Sequence, residues 1–320
     1  MTVDARAAEP LEAMPVQLPA QAAGAAEARA RYFNSGNAFN VAVPGVPAAT
    51  FRTEADRARA AGTGLVACDQ SGALDLGFAA TTPLMLARYA ALASRATLAA
   101  AFVATGAIWY VIAGGGEAGV AGESFAWGAG DVFVTPGGVD VKLGAGDGGA
   151  LLWVVTNEPQ PAFEGVVPSA AQAGAAPPVQ YPAAEIARQL ARVVAAPRAS
   201  TTSGCALIFS SQRAQASRNV LPTLTLSLNT LPPRERQRTH KHNAAAITLV
   251  VAGRACYTLV DGARTDWSPH ATLVTPRGAA HSHYNDGDER AVFLIVQDGG
   301  PHYHARTMGF AFLAAESPEA

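Results

Sequence analysis

Seven histidines stand in this chain, all at or beyond residue 240, and four of them form two tight pairs, His240-Lys-His242 and His281-Ser-His283. Imidazole is the commonest protein ligand for transition metals and the side chain most readily recruited for acid–base work near neutral pH. The HxH spacing matters because alternate residues of a strand project to the same side. His240 and His242 can therefore share one face, and His281 can arrive from a neighbouring strand as a third imidazole. Three neutral imidazoles with coordination positions left open suit a divalent ion that must also bind substrate or O2. The donor set alone leaves the ion open among Fe, Mn, Ni, Zn and Cu.

Further candidates lie around these three. His283, two along from His281, can face the same cavity and orient a substrate or accept a proton. Arg234, Arg236 and Arg238 alternate ahead of the first pair. Arg236 and Arg238 share the strand parity of His240, so either fork could reach inward to a carboxylate, although each taken singly also reads as a solvated side chain. His302-Tyr-His304 repeats the pair spacing but follows the last core strand among Gly and Pro, and reads as a loop. His270 reads as a surface turn residue. Gly114-Gly115-Gly116 lacks the Lys-Ser/Thr ending and the following helix of a phosphate loop, and reads as a hairpin turn.

The elements that position the histidines emerge from an internal repeat. Pro83 and Leu92 match Pro222 and Leu231, and after a one-residue slip Gly122, Trp127, Thr135, Pro136 and Gly138 match Gly262, Trp267, Thr275, Pro276 and Gly278. Both copies are short runs rich in branched residues and punctuated by Gly, Pro and Asp. LTLSLN, AITLVVAG, ACYTLVDG, ATLVTP and ERAVFLIV are strands by alternation, and Asp261-Gly262 is a hairpin turn. Two tandem all-β units follow. Between them, Pro182 to Pro197 reads as one amphipathic helix with Ile186, Leu190 and Val193 on a shared face.

Composition narrows the function classes. Charged residues make up 15% of the chain and the formal charge is -2, which provides no field for nucleic acid or an acidic membrane surface. Cys68, Cys205 and Cys256 are odd in number, far apart and outside any CxxC pattern, which argues against disulfides or a thiolate zinc site and fits a reducing compartment. Cys256 reads as a small buried apolar residue. No apolar run approaches a membrane span, and the N-terminus has acidic residues where a signal peptide needs a basic patch, so the cytoplasm is the expected location. The first thirty or so residues, rich in Ala, Pro and Glu, are expected to be loose or disordered.

The second unit resembles a cupin, the small double-stranded β-helix barrel. The family's first motif pairs HxH with a later glycine, here His240, His242 and Gly253, and its second motif PxGxxHxxxN is intact as Pro276, Gly278, His281 and Asn285. With the repeat, the resemblance implies an all-β bicupin: two tandem double-stranded β-helix (jelly-roll) barrels with a short linking helix. The implied layout is an N-terminal extension over 1–75, a first cupin without metal ligands over 76–165, a linker with the helix over 166–215, and a metal-binding cupin over 216–320.

The usual cupin site adds a glutamate soon after the HxH pair, but Asn243-Ala-Ala-Ala-Ile247 has no carboxylate. Three histidines without that glutamate, together with LPTL, YTLVDG and the text after Thr275-Pro276, resemble the gentisate 1,2-dioxygenase-like branch. That branch implies an Fe(II) enzyme of extradiol type, held by His240, His242 and His281, cleaving a hydroxylated aromatic carboxylate such as a gentisate or salicylate derivative with O2. It also implies a homo-oligomer, dimer or tetramer, by analogy alone. Another metal-dependent bicupin enzyme, an isomerase or hydrolase, or a non-catalytic carboxylate-binding cupin would use the same triad. In the first unit the residues matching the triad are Ala101, Val103 and Val141, and Phe102, Trp109 and Phe133 are expected to fill a barrel left with a scaffold or dimerisation role.

Overall fold

The alternating runs pair as antiparallel strands, because each has one apolar face that only a second layer can cover. The protein is described from a computed structural model over residues 9–169, 176–197 and 204–313. Residues 1–8 of the extension expected to be loose, 170–175 and 198–203 of the expected linker, and 314–320 lie outside the described residues.

The chain up to Pro44 forms a small unit of its own. There Gln17 and Tyr32 exchange backbone hydrogen bonds, and Asn37 Nδ2 donates to Met14 O at 2.8 Å. In the described part of the segment expected to be loose these few polar bonds are the organising contacts, and beyond it Phe39, Val41 and Val43 are exposed.

The second unit, Gly45–Ala320, contains both barrels. In the first, the hydrogen-bonded order is Gly64–Ala67, Leu86–Leu92, Asp140–Thr156, Gly106–Val120, Val132–Pro136 and Val179–Tyr181, with Thr97–Ala101 and Glu123–Gly128 paired alongside. The second has two sheets. One runs Thr50–Phe51, Thr272–Thr275, Ala246–Ala252, Ala291–Gln297, Thr225–Leu231 and Cys205–Phe209; the other runs Ala263–Asp266, Cys256–Val260, His281–Asn285, His240–His242 and Phe310–Phe312. Stretches outside the two repeats thus supply edge strands that cover otherwise unpaired backbone.

Side-chain alternation sorts the buried apolar side chains among the described residues into three clusters. Phe102, Trp109, Trp127, Phe133 and Leu152 fill the first barrel, with Trp109 and Phe133 stacked at 5.7 Å. Leu231, Val250, Trp267, Leu273 and Phe293 line the second. The third lies between the barrels, where Met85, Tyr89, Ile108 and Trp153 meet Leu226, Ile247, Leu249 and Val296. Thr272 ties this layer together, lying 2.7 Å from the Tyr89 hydroxyl and accepting from Trp153 Nε1 at 3.0 Å. The helix Ala183–Ala195 buries Ile186 and half-buries Leu190 and Val193. Among the described residues no helix is long and apolar enough to cross a membrane.

Two local expectations are corrected. Gly114-Gly115-Gly116 is no hairpin turn but part of the long strand Gly106–Val120, where the register shifts twice. Side chains cannot fit there: a Cβ on Gly116 would meet Gly144 O at 1.8 Å, and Gly114 has φ +83. His302 and His304 lie on a short helix, Gly300–Ala305, and not in a loop, because Pro301 in the first turn has its φ preset for a helix start.

Candidate metal centre

Two paired strands bring the histidines together, His240–His242 and His281–Asn285. His240 and His242 lie on His240–His242, and His240 faces His281 directly across the ladder. All three are buried, and each offers one ring nitrogen within 4.8 Å of the others. Their Nδ1 atoms are all taken: His240 donates to Arg238 O at 2.9 Å, His242 to Ala244 O at 2.8 Å, and His281 to Ala279 O at 2.9 Å. A carbonyl only accepts, so the proton of each neutral ring sits on Nδ1 and the Nε2 lone pair is left for an ion.

Charge state agrees with this geometry. Burial holds His240 and His242 below the ordinary imidazole range. Burial, then the neighbouring His240, pushes His281 down to about 2, and burial pushes His283 down to about 3. Neutral imidazole is the ligand form, so these residues fit a divalent metal.

His283 is buried beside the triad, 6.3 Å from His281 between ring centroids, with Trp267 and Phe293 against its edges. Its ring thus faces the same interior as the three ligand candidates. Asn285, the last residue of the second motif, acts as a fastener: its Nδ2 donates to Leu231 O, Pro232 O and Glu289 O.

Arg236 and Arg238 are not brought into this site. Both are exposed, and the Arg238 guanidinium lies 4.5 Å from the Phe312 ring centroid. The strand Glu235–Arg236 ends before residues 237–239, so the parity that linked these arginines to His240 is broken. His302 also lies outside the triad, with Nδ1 3.2 Å from Asn243 Nδ2. His270 is a half-buried turn residue with φ +58, and its carbonyl accepts from the Tyr89 hydroxyl.

Sequence reasoning missed three contributors. Phe310–Phe312 pairs with His240–His242 and lays the Phe310 ring 5.2 Å from His240; its Phe-Ala-Phe alternation was the available signal. Asp298 accepts from Ala245 N–H at 2.8 Å and from Arg277 at 2.8 Å, pinning the turn whose Ala244 carbonyl orients His242. Gln297 Nε2 lies 3.1 Å from His242 Nε2.

The match between the barrels needs one correction. Val141 pairs with Ala100, as His281 pairs with His240, and Gly138 N–H donates to Phe102 O as Gly278 N–H donates to His242 O. The counterparts of His240 and His242 are therefore Ala100 and Phe102, both buried, whereas Ala101 and Val103 face outward. The one-residue slip thus already applies at this motif, and the copies return to the earlier step at Ala107 and Ala246. Ala100, Phe102 and Val141 have no metal-binding side chain, and the phenyl ring fills the space.

Comparison with known proteins agrees with this architecture. The model of the Cupin domain family matches residues 227–297. Gentisate 1,2-dioxygenase of a Ralstonia species is 37% identical over 73 residues, 23% of this chain and 21% of that protein. The chain thus aligns with about a fifth of this curated relative. Salicylate 1,2-dioxygenase from Pseudaminobacter salicylatoxidans superposes with a TM-score of 0.72 at 16% identity, over 86% of this chain and 91% of that one. A variant of that enzyme in complex with gentisate superposes with a TM-score of 0.69 at 14% identity, over 83% and 86%. The chain thus has a bicupin fold, with a Cupin domain match and similarity to the gentisate 1,2-dioxygenases in the C-terminal barrel that carries its three-histidine constellation.

Proposed function

We propose that this protein is a mononuclear metal-dependent dioxygenase that cleaves a hydroxylated aromatic carboxylate, of gentisate or salicylate type, with O2. The observation that carries the reading is the common state of His240, His242 and His281: neutral, buried, and with Nδ1 committed to a carbonyl. Fe(II) is the ion proposed for this site, and Mn, Ni, Zn and Cu would share its donor chemistry. Held by His240, His242 and His281, such an ion would supply Lewis-acid binding of the substrate's hydroxyl and carboxylate and a route for electrons from the ring to O2.

The chain's own residues do the rest. The three imidazoles would hold the ion with no net ligand charge. His283 offers an N–H to orient the substrate, while Trp267 and Phe293 form an apolar wall that excludes water. Recognition of the carboxylate falls to the ion and these interior groups, since Arg236 and Arg238 are exposed. The gentisate complex of the structural neighbour supports the substrate class. Assembly as a homo-oligomer belongs to the same proposal and is read by light scattering.

The test is anaerobic loading with Fe(II), followed by O2 uptake with gentisate, salicylate and substituted relatives. Stoichiometric uptake with loss of the aromatic absorbance is expected. Carboxylate binding without uptake would make the protein a binding module, and failure to retain any divalent ion would overturn the reading.

A further inference from the structure

The stretch Asn243–Ile247 leaves the centre without a carboxylate, and the fold brings a different side chain to the same place. Ala246 lies directly across the ladder from Gln297. Gln297 follows Phe293 and Ile295 at strand spacing, and both of those residues pack in the barrel interior, so its side chain faces inward with them. Its amide nitrogen ends 3.1 Å from Nε2 of His242. That nitrogen can only accept, since the His242 proton is held on Nδ1 by Ala244 O. The glutamine therefore occupies the very lone pair that an ion must take.

We propose that Gln297 is a fourth protein ligand of the metal centre, a neutral amide whose Oε1 replaces the missing carboxylate. This rests on the three-histidine metal reading but requires nothing of ring cleavage. A terminal amide torsion has two broad wells, so a half-turn exchanges oxygen for nitrogen at little cost. Two donors each about 2.1 Å from one ion and at right angles are about 3.0 Å apart, close to the spacing between Gln297 and His242. The side chain starts from a fixed point, because the next residue, Asp298, is anchored to Ala245 N–H and Arg277.

The first barrel provides an internal control. There Ala107 pairs with Thr156 as Ala246 pairs with Gln297, and the shorter Thr156 side chain is bonded to Glu158. The glutamine stands only in the barrel that has the histidines. A set of three imidazoles and one amide leaves the full charge of a divalent ion available to an anionic chelator.

Titration of the full chain with Co(II), read by chelator competition and by the visible ligand-field band, tests this assignment. Gln297→Met keeps the volume and removes the oxygen, so Co(II) binding should weaken by about tenfold and the band change in intensity. Gln297→Glu restores an oxygen donor and should bind Co(II) at least as tightly as the parent, and it decides the matter if the methionine variant does not fold. Parent-like affinity and spectrum in Gln297→Met, or weakened binding in a folded Gln297→Glu, would overturn the ligand role while leaving the histidine centre intact. Failure of the parent to bind Co(II) would overturn both. Ring cleavage is read by O2 uptake, so its absence bears only on the proposed reaction.

Discussion

The Thr258 hydroxyl donates to Nδ1 of His283 at 2.8 Å. The direction follows from the other side of the hydroxyl, where Trp267 Nε1 donates to it at 2.8 Å. An indole N–H can only donate, so Thr258 accepts there, and among the described hydrogen bonds the one acceptor within reach of its own buried proton is His283 Nδ1. His283 thus carries its proton on Nε2, the opposite tautomer to the three ligand candidates. Two kinds of histidine result: three that present a lone pair and one that presents an N–H.

Thr258→Val should separate these roles. It strands two buried groups, Trp267 Nε1 and His283 Nδ1, at a cost of about 1–3 kcal/mol each. Urea denaturation should show the loss of stability, and metal content should remain at one ion per chain. Loss of the ion in this variant would show that His283 is part of the ligand set.

Alanine at His240, His242 or His281 should abolish stoichiometric metal retention, whereas His283→Gln should keep it. Metal analysis after anaerobic loading and desalting checks the contrast. Full occupancy in any of the three alanine variants would sink the assignment of the triad.

Acid should destabilise the metal-free protein. His281 and His283 are held to about 2 and about 3, so an unfolded chain, with imidazoles near 6.5, binds more protons between those values. Stability is then complete above about pH 6.5 and falls as pH drops, by about 1.4 kcal/mol per pH unit for each such imidazole. His240 and His242, also depressed, act in the same direction. Thermal melts from pH 7 to pH 5 should show a steep decline that saturating metal shifts to lower pH; a level profile would contradict neutral burial.

Asp298→Ala should strand the Ala245 N–H, cost about 1–3 kcal/mol and weaken metal binding by about tenfold through the turn that orients His242. Asp298→Asn retains an oxygen for that N–H and should recover most of the stability. Equal metal affinity in the alanine variant and the parent would remove Asp298 from the positioning chain.

Gly116→Ala should be among the most damaging changes remote from the centre. Its Cβ would overlap Gly144 O at 1.8 Å, backbone that cannot move without breaking the ladder. A loss of about 3 kcal/mol or more, or failure to accumulate as soluble protein, is expected.

The sequence by itself determined which chemistry the chain can do and how many times it builds the same barrel. Strand alternation, the Asp261-Gly262 turn, the paired histidines and the aromatic filling of the first barrel are local patterns, set by side-chain chemistry at short range. Tertiary structure alone decided which distant residues share a face. Gln297 reaches His242 only because Ala291–Gln297 pairs in register with Ala246–Ala252, and Phe310 covers His240 only because a short C-terminal strand docks beside it. The equivalence of Phe102 in the first barrel to His242 in the second, and the exposure of Arg236 and Arg238, turn on a slip and a strand break of a residue or two. A one-residue shift reverses every side chain of a strand, and its register is set by hydrogen bonds to a partner far away in the chain, not by the strand's own pattern.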